Sequence, residues 1–322
     1  MLNKVIYMWK NYWYKGVKMK IIRDNFENIQ VDDKLAVALG TFDGLHWGHK
    51  KIINETVKYA KKNGIKSAVL TFDKIPISVI NTSLGIKILM ENDVKCQAIS
   101  ELDVDYLIFI EFNEEFSKVR YEDFIKFIMH NLNAVALFCG YNYTFGYMGM
   151  GNTKTLDKYK NKYGYDLIVI DKVVYKGHNI SSSIIRDKIS KGKIKEANEL
   201  LGYKYFIKGK VIEGNRLGNK LGFPTANIQI SENLALRNGV YATYTYIDGD
   251  KYKSITNIGH NPTVEKDYRV AETYVLNFQG NLYNKNIKIE FEYFIRDEKK
   301  FPSLDELKKQ VKRDINSVMN LK

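Results

Sequence analysis

The sequence predicts two units of different fold class, an α/β unit followed by a mainly β unit. From about residue 20 to residue 185, apolar runs of strand length alternate with amphipathic helical patterns, which is typical of a parallel sheet with helices on both faces. From residue 205 to residue 296, period-two alternation between turn glycines is typical of a small antiparallel barrel. At 322 residues, of which 45% are hydrophobic, the chain is long enough to bury two cores.

The first unit is predicted from apolar runs and helical faces that follow one another along the chain. The predicted strands are Leu35 to Leu39, Ser67 to Phe72, Tyr106 to Glu111, Ala134 to Cys139 and Asp166 to Ile170. The predicted helices between them are His49 to Lys62, Glu91 to Glu101, Tyr121 to Asn131 and Lys154 to Tyr163. Since open parallel sheets bind ligands outside the carboxyl ends of their strands, we expect the loops after these strands to converge on one crevice.

The second unit is predicted from shorter strands and two helices. One helix runs from Ser182 to Leu201 and is ended by Gly202, and a closing helix runs from Ser303 to Met319, with Ser303 and Glu306 in capping-box positions. The predicted strands are Tyr205 to Val211, Gly239 to Ile247, Tyr252 to Asn257, Ala271 to Phe278 and Ile287 to Ile295.

These patterns predict two domains, at residues 19–186 and 204–322, with a connecting helix at 187–203. Residues 1–18 lack the sustained apolar core of a signal peptide. We expect them to be a short N-terminal extension, or to precede a true start at Met19.

The net charge of +13 does not by itself define a partner. Clustered lysines and arginines bind nucleic acid, but here the excess is mostly lysine spread along the chain. Anionic nucleotides as substrates account for the same sign of charge without an extended basic patch. We therefore expect no dedicated nucleic-acid surface.

The apolar runs and the cysteines predict the setting of the protein. The longest apolar runs fall well short of the roughly 20 residues that a membrane-spanning helix needs, so we expect no membrane association. The two cysteines, Cys96 and Cys139, stand in apolar or helical patterns, so we expect buried, reduced thiols and a cytoplasmic location. These patterns do not define an oligomeric state.

A first candidate site lies at residues 40–49, Gly-Thr-Phe-Asp-Gly-Leu-His-Trp-Gly-His. Two of the five histidines, His46 and His49, stand three residues apart where a helix begins after a strand. Free backbone N–H groups and two imidazoles at a helix start suit a triphosphate, because such donors stabilise charge that develops at the α-phosphate. A zinc site is disfavoured, since zinc needs three or four ligands and the other histidines are scattered.

A second motif, Ile-Ser-Ser-Ser-Ile-Ile-Arg at residues 180–186, follows the last strand of the same predicted sheet. A serine run of this kind often does no more than cap a helix. Its position instead favours a site in which Arg186 binds the β- and γ-phosphates.

A third motif spans residues 214–227 in the second half. Its three glycines allow backbone to approach a nucleotide, and Thr225 and Asn227 offer hard oxygen ligands for Mg²⁺. A glycine loop in a barrel is otherwise a simple turn. On a predicted strand nearby, Glu272 faces inward if Thr273 faces out, although a strand glutamate is more often exposed and paired with a lysine.

The motifs at residues 40–49 and 180–186 together resemble the nucleotidyltransferase half of the prokaryotic bifunctional riboflavin kinase and FMN adenylyltransferase, the FAD synthetase family. The motif at residues 214–227 resembles the kinase half, and the likeness covers about residues 20 to 315. The resemblance implies a Rossmann-like nucleotidyltransferase domain and a β-barrel of the riboflavin kinase type. It implies that riboflavin, ATP, FMN and FAD are substrates and products, with Mg²⁺ as cofactor.

The resemblance also implies roles for single residues. Those expected to bind ATP are Gly40, Phe42, Asp43, His46, His49, Ser182 and Arg186 in the first half, and Gly218, Gly222 and Thr225 in the second. Those expected to bind flavin are Asn142, Phe145, Asn257, Gly259 and Thr263. Glu272 is expected to be the kinase base, and His46, His49 and Arg186 are expected to be catalytic in adenylyl transfer.

The chain departs from the family pattern in the first half. Phe72-Asp73-Lys74-Ile75-Pro76 stands where the family usually has Phe-x-Pro-His-Pro, and residues 147–151 lack the usual basic side chains. Two alternatives stay open: a riboflavin kinase with weakened or lost adenylyltransferase activity, and a flavin-sensing or RNA-binding regulator.

Overall fold

The structure is a computed structural model that describes residues 19–81, 83, 85–214, 218, 222–262 and 267–319. Its contacts divide the chain into two compact units. The first unit contains the chain up to Ile86 together with Lys95–Asn179, and the second contains Lys87–Val94 together with the chain from Ile180 onward. The expectations for residues 1–18 and for Thr263 lie outside the described residues.

The first unit is built on a parallel sheet, as the sequence predicts, but the sheet has six strands where five were predicted, and β1 is the additional one. In spatial order its strands are β1, β4, β3, β2, β5 and β8. Their bounds are Lys20–Asp24 (β1), Leu35–Leu39 (β2), Lys66–Phe72 (β3), Tyr106–Ile110 (β4), Ala134–Gly140 (β5) and Asp166–Ile170 (β8). Short two-residue ribbons pair Thr144–Phe145 (β6) with Gly151–Asn152 (β7), and Val174–Tyr175 (β9) with His178–Asn179 (β10).

In the described part of this unit, six α-helices accompany the sheet. They are Trp47–Asn63 (α1), Pro76–Ile80 (α2), Asn92–Ser100 (α3), Glu114–Ser117 (α4), Tyr121–His130 (α5) and Thr153–Tyr163 (α6), and α3 belongs to the first unit from Lys95 onward. The sheet order reverses at β2, which lies between β3 and β5. The loops after β2 and β5 therefore leave the sheet side by side, at the place where open α/β sheets bind their ligands.

The second unit contains a six-stranded antiparallel barrel that is nearly closed. In spatial order its strands are β11, β16, β13, β14, β15 and β12, and the N–H of Ile212 donates to the carbonyl of Asn227 at 2.8 Å across the remaining seam. Their bounds are Phe206–Lys210 (β11), Thr225–Gln229 (β12), Gly239–Ile247 (β13), Asp250–Pro262 (β14), Asp267–Val275 (β15) and Asn286–Arg296 (β16). The closing helix is Leu304–Met319, and the hydroxyl of Ser303 caps it by accepting from the N–H of Glu306 at 3.3 Å.

Two predictions for this unit were wrong. The single helix predicted from Ser182 to Leu201 is two helices, Ser182–Ser190 (α7) and Ile194–Leu201 (α8), because Gly192 adopts a left-handed φ of 72° that ends the first helix. The closing helix is accordingly α9. The loop motif that contains Thr225 ends in a strand, β12, which the sequence did not predict.

The structure also describes both cysteines and the apolar character of the helices. Cys96 and Cys139 are buried thiols, as predicted, and burial raises the pKa of Cys139 to about 12. No helix in the described ranges is both long and apolar enough to cross a bilayer.

Candidate functional site

The histidine loop, residues 40–49, connects β2 to α1 in the first unit. His46 is the N-cap of α1, where its backbone is extended and its ring Nδ1 accepts from the N–H of His49 at 3.4 Å. The two rings stack with 3.7 Å between their centroids. A methyl group on Gly48 would lie 3.2 Å from the His46 ring, so glycine makes room for this pair. The short backbone spacing therefore places both imidazoles together.

Residues 42–46 of the histidine loop are buried, and part of the loop is strained, whereas Trp47 is 43% exposed. Phe42 is fully buried, packs edge-on against His49 at 5.3 Å, and adopts a left-handed φ of 47°. A methyl group on Gly40 would lie 3.1 Å from the Phe42 ring, and Asp43 is 2% exposed. Left-handed backbone at a non-glycine residue persists only where its surroundings enforce it, and such strain is concentrated at functional sites.

Burial decides the protonation of the two histidines. Loss of hydration lowers the pKa of His46 to about 4 and lowers the pKa of His49 well below its usual range, where positive charge on His46 and Lys95 acts in the same direction. Both rings are therefore neutral at pH 7. Because Nδ1 of His46 accepts a hydrogen bond, the proton of that ring is on Nε2. Within the described residues, Nδ1 of His49 is buried and has no hydrogen-bond partner.

The loop that carries Asn142 and Phe145, both expected to bind flavin, follows β5 and lies next to the histidine loop. Asn142 is exposed, and its Oδ1 lies 3.3 Å from where a Cβ on Gly140 would stand. Phe145 instead belongs to the hydrophobic core, where it stacks on Tyr143 at 5.6 Å. The structure therefore places the amide at the surface of the loop and the phenyl ring beneath it.

The serine-arginine motif lies in the second unit. Ser181 is the N-cap of α7, with its hydroxyl accepting from the N–H of Ile184 at 3.3 Å, and Ser182 is the first residue of the helix. The apolar side of α7, with Ile185 and Ile189, packs into the core of the second unit. The domain boundary predicted at residue 186 therefore differs from the boundary between the compact units, which falls at Ile180. Arg186 lies in the middle of α7.

The candidate kinase site is a row of polar residues across three neighbouring strands. Glu272 on β15 is directly opposite Asn227 on β12 and directly opposite Asn257 on β14. Directly opposite residues of antiparallel strands point to the same face. Strand register therefore brings together one carboxylate and two amides that are 15 or more residues apart in the chain.

Asn227 is the most constrained member of the row. It is 5% exposed, and a methyl group on Gly214 would lie 2.3 Å from its Nδ2, so the backbone of the glycine motif lies directly against the amide. Within the described residues, Oδ1 of Asn227 is buried and has no hydrogen-bond partner. A buried oxygen without a donor, two residues from the Thr225 hydroxyl, fits a hard cation such as Mg²⁺.

The glycines of this motif lie close to its other polar groups. A methyl group on Gly218 would lie 3.4 Å from the Thr225 hydroxyl and 2.4 Å from the Phe223 carbonyl. Gly222 adopts a left-handed φ of 83°, which favours glycine. The backbone of these glycines can therefore come closer to a ligand than any other residue type would allow.

The expected orientation of Glu272 needs a correction. Thr273 does not face out: its hydroxyl is buried and lies 2.9 Å from that of Thr256, in a cluster that includes Thr243 and Ser254. Glu272 therefore points to the opposite face of the strand. Burial there raises its pKa, and the negative charge of Glu298 raises it further. Glu298 also lies over Gly259, since its Oε1 is 2.2 Å from where a Cβ on that glycine would stand.

Sequence reasoning missed two charged residues near these sites, Lys95 and Glu298. Lys95 stands in a helical pattern that also suits a solvent-exposed lysine, and Glu298 stands in a charged stretch after the last strand. Lys95 is in fact 5% exposed, and its Nζ donates to the Thr41 carbonyl of the histidine loop at 3.0 Å. No local pattern therefore distinguishes either residue from an ordinary surface charge.

Comparison with known proteins matches both units to enzyme families. The FAD synthetase family model matches residues 28–184, and the riboflavin kinase family model matches residues 201–322. Proteins named bifunctional riboflavin kinase/FMN adenylyltransferase are similar along most of the chain. The protein of Buchnera aphidicola from Schizaphis graminum is 36% identical over 93% of this chain and 98% of its own length. That of Listeria monocytogenes is 34% identical over 88% and 91%, and that of Bacillus subtilis is 35% identical over 87% and 90%.

A solved structure shares the fold over nearly the whole chain. A crystal structure described as a macrolide-efflux protein from Streptococcus pneumoniae has a TM-score of 0.80 and 27% sequence identity, and covers 94% of this chain and all of its own. The efflux description belongs to that protein.

The fold and the matches define a transferase with an FAD synthetase part and a riboflavin kinase part. The chain belongs to the bifunctional riboflavin kinase/FMN adenylyltransferase family.

Proposed function

We propose that the barrel phosphorylates riboflavin to FMN with ATP, and that the histidine loop supports adenylylation of FMN by ATP, which yields FAD and pyrophosphate. The relatives named above carry both activities in their names. The observation that carries the proposal is that each matched part contains its own constellation of adjacent polar groups, the histidine pair in one and the Asn227–Glu272–Asn257 row in the other.

In the kinase step, Glu272 accepts the proton of the riboflavin primary hydroxyl. The hydroxyl oxygen forms a bond to the γ-phosphorus of ATP, the bond from that phosphorus to the bridging oxygen breaks, and ADP leaves. The raised pKa of Glu272 suits a general base, because a more basic carboxylate accepts the proton more readily. Asn257, Gly259 and Thr263 are proposed to contact the flavin.

Thr225 and Asn227 are proposed to hold Mg²⁺ in this step. When bound, the ion neutralises charge on the phosphates of ATP. The buried, unpartnered Oδ1 of Asn227 supports this assignment among the described residues. Gly218 and Gly222 are proposed to let the phosphates approach the backbone.

In the adenylyl step, a phosphate oxygen of FMN forms a bond to the α-phosphorus of ATP. The bond between that phosphorus and the α–β bridging oxygen breaks, and pyrophosphate leaves with its electron pair. The neutral rings of His46 and His49 are proposed to donate hydrogen bonds to the developing charge, so that no proton has to be transferred. Gly40, Phe42 and Asp43 are proposed to shape the nucleotide site, with Ser182 and Arg186 binding the outer phosphates.

Further assignments belong to the same proposal. Asn142 is proposed to contact the flavin of FMN, while Phe145, from within the core, holds its loop in place. Residues 19–186 and 204–322 are proposed as the two catalytic domains, joined by residues 187–203, and the enzyme is proposed to act in the cytoplasm, where its thiols stay reduced.

The test is a chromatographic assay of purified protein with Mg²⁺ and ATP, given riboflavin in one reaction and FMN in another, in which flavin products and pyrophosphate are measured. Glu272→Ala is expected to stop FMN formation and to spare conversion of supplied FMN to FAD, and His49→Ala is expected to do the reverse. If either variant stops both steps while circular dichroism shows an intact fold, the assignment of one activity to each site is wrong.

A second candidate function is a riboflavin kinase with weakened or lost adenylyl transfer. The substitutions at residues 73–76 and 147–151 favour it, and the latter segment exposes Met148 by 79% where the family tends to carry basic residues. FMN from riboflavin, with no FAD in either reaction, selects this candidate. No product in either reaction selects a regulator that binds flavin without turnover.

A further inference from the structure

Lys95 is a buried lysine in the first unit, directly under the histidine loop. Its side chain on α3 is 5% exposed, and its Nζ donates to the Thr41 carbonyl at 3.0 Å. The hydroxyl of Thr71 donates to the same carbonyl at 2.9 Å. Two donors from different elements, the charged Lys95 ammonium and the Thr71 hydroxyl, therefore hold the loop at Thr41.

The ammonium group lies among titratable groups from neighbouring elements. The groups that interact electrostatically with it are Asp43 in the histidine loop, Asp73 after β3, Arg23 on β1, Cys96 beside it on α3 and His49 on α1. Its Nζ lies 5.7 Å from the centre of the Phe109 ring, whose face also receives Arg23 at 4.6 Å. Lysines are seldom this buried, because an ammonium loses its hydration, so a site that keeps one has a use for its charge or its donors.

We propose that Lys95 is a positioning residue for adenylyl transfer: its ammonium fixes the histidine loop at the Thr41 carbonyl and places a positive charge beside His49, where the triphosphate of ATP is proposed to bind. This inference rests on the proposed role of the histidine loop.

The chemistry gives this charge a use. Both histidines are neutral at pH 7, so their N–H groups supply dipoles but no net charge. FMN phosphate, ATP and pyrophosphate are all anionic, and a cation in a site shielded from water acts on them far more strongly than one at the surface. Lys95, on α3, supplies such a cation beneath this loop.

The charge on Lys95 depends on pH near neutrality. Burial lowers its pKa to about 8, although the negative charge of Asp43 opposes that shift. The amine therefore loses its proton, and the site loses its charge, as the pH rises through about 8. Adenylyl transfer is expected to fall along the same alkaline limb.

The experiment compares Lys95→Met, Lys95→Arg and the control Lys126→Met in the full-length enzyme. Lys126 is an exposed lysine of the same unit, paired with Asp123 at 3.0 Å. Conversion of FMN to FAD is measured as kcat and as KM for ATP from pH 6 to pH 10, at temperatures where calorimetry shows each variant folded. Conversion of riboflavin to FMN is the internal control.

Lys95→Met is expected to lower kcat for FAD formation about 100-fold or more, the usual cost of losing one electrostatic donor. Lys95→Arg keeps a permanent charge, so it is expected to retain activity within about tenfold and to lose the alkaline limb near pH 8. Lys126→Met is expected to behave as the unsubstituted enzyme, and FMN formation is expected to stay unchanged in all three.

Two results would overturn the inference. One is a Lys95→Met enzyme with unchanged kcat, and the other is a Lys95→Arg enzyme with the same alkaline limb as the unsubstituted protein. His49→Ala is measured in parallel. If His49→Ala also forms FAD normally, the proposed site itself fails; if His49→Ala is inactive while Lys95→Met is active, only the inference about Lys95 fails.

Discussion

The imidazole rings of His46 and His49 lie face to face, with 3.7 Å between their centroids and 16° between their planes. Two protonated rings at this distance would repel each other, and burial already disfavours a charge on either. The pair is therefore built to be neutral, and its chemistry is that of hydrogen-bond donors and acceptors.

The stability of the first unit is expected to depend on His46 in acid. In the unfolded chain His46 binds a proton as the pH falls through 6.5, whereas in the folded unit its pKa is about 4. The unfolded state therefore binds more protons between these values, and the free energy of unfolding falls as the pH drops from 6.5 towards 4. Calorimetry across this range measures the effect.

His46→Asn is the matched variant for that prediction, because asparagine can cap α1 and carries no titratable group. The variant is expected to flatten the pH dependence of the transition that belongs to the first unit. An unchanged slope would show that His46 is not buried in its neutral form.

The acid limb of FMN formation is expected to move when Glu298 loses its charge. Burial raises the pKa of Glu272 and Glu298 raises it further, so Glu298→Gln lowers it towards the value set by burial alone. The base then stays deprotonated to lower pH, and the acid limb of kcat/KM for riboflavin shifts to lower pH. Asp297→Asn, which removes a neighbouring charge paired with Arg237, is the control and is expected to leave the limb in place.

Removal of the Asn227 amide is expected to raise the Mg²⁺ requirement of the kinase step. Asn227→Ala deletes the buried Oδ1 proposed as a cation ligand, and we expect about a tenfold higher Mg²⁺ concentration for half-maximal FMN formation. Asn281→Ala, at an exposed asparagine of the same unit, serves as control. An Asn227→Ala enzyme with a normal Mg²⁺ titration but a lower kcat would assign the amide to substrate binding instead.

Asp314 is expected to hold the closing helix to the barrel. Asp314 is 3% exposed. Its carboxylate accepts hydrogen bonds from Nη2 of Arg296 at 2.8 Å and from Nε2 of Gln310 at 2.9 Å. Asp314→Ala leaves the arginine without its anion, and we expect a loss of about 2 kcal/mol or more in the second unit. Denaturant unfolding measures it, with Asp305→Ala at the exposed helix start as control. Equal stabilities of the two variants would contradict the prediction.

The elements of the first unit were predictable because their signal is local. The run Leu35–Leu39 is fully buried on both faces, which makes it uniformly apolar in the sequence. The motif at residues 40–49 was also recognisable from the local sequence, because few structural roles require its residue types together. The break between α7 and α8 was missed because Gly192 is followed at once by a second helical pattern, so the two helices share one apparent period.

The candidate sites were predictable only in part. Motif spacing named His46, His49 and Asn227, because it depends on neighbours in the chain, whereas Glu272 was named only through the family resemblance. The sequence could not show that Glu272 points away from the buried threonines, since that direction depends on which face of β15 packs into the core.

By itself, then, the sequence determined the fold class of both units, and it predicted the loops proposed to carry their chemistry and the anionic class of their ligands, because periodicity, glycine placement and residue chemistry are local properties. Only the tertiary structure decided that Asn227, Glu272 and Asn257 form one row, that Glu298 tunes the carboxylate and that Lys95 is buried under the histidine loop. Strand register and burial arise from contacts between distant parts of the chain, and no local pattern encodes them.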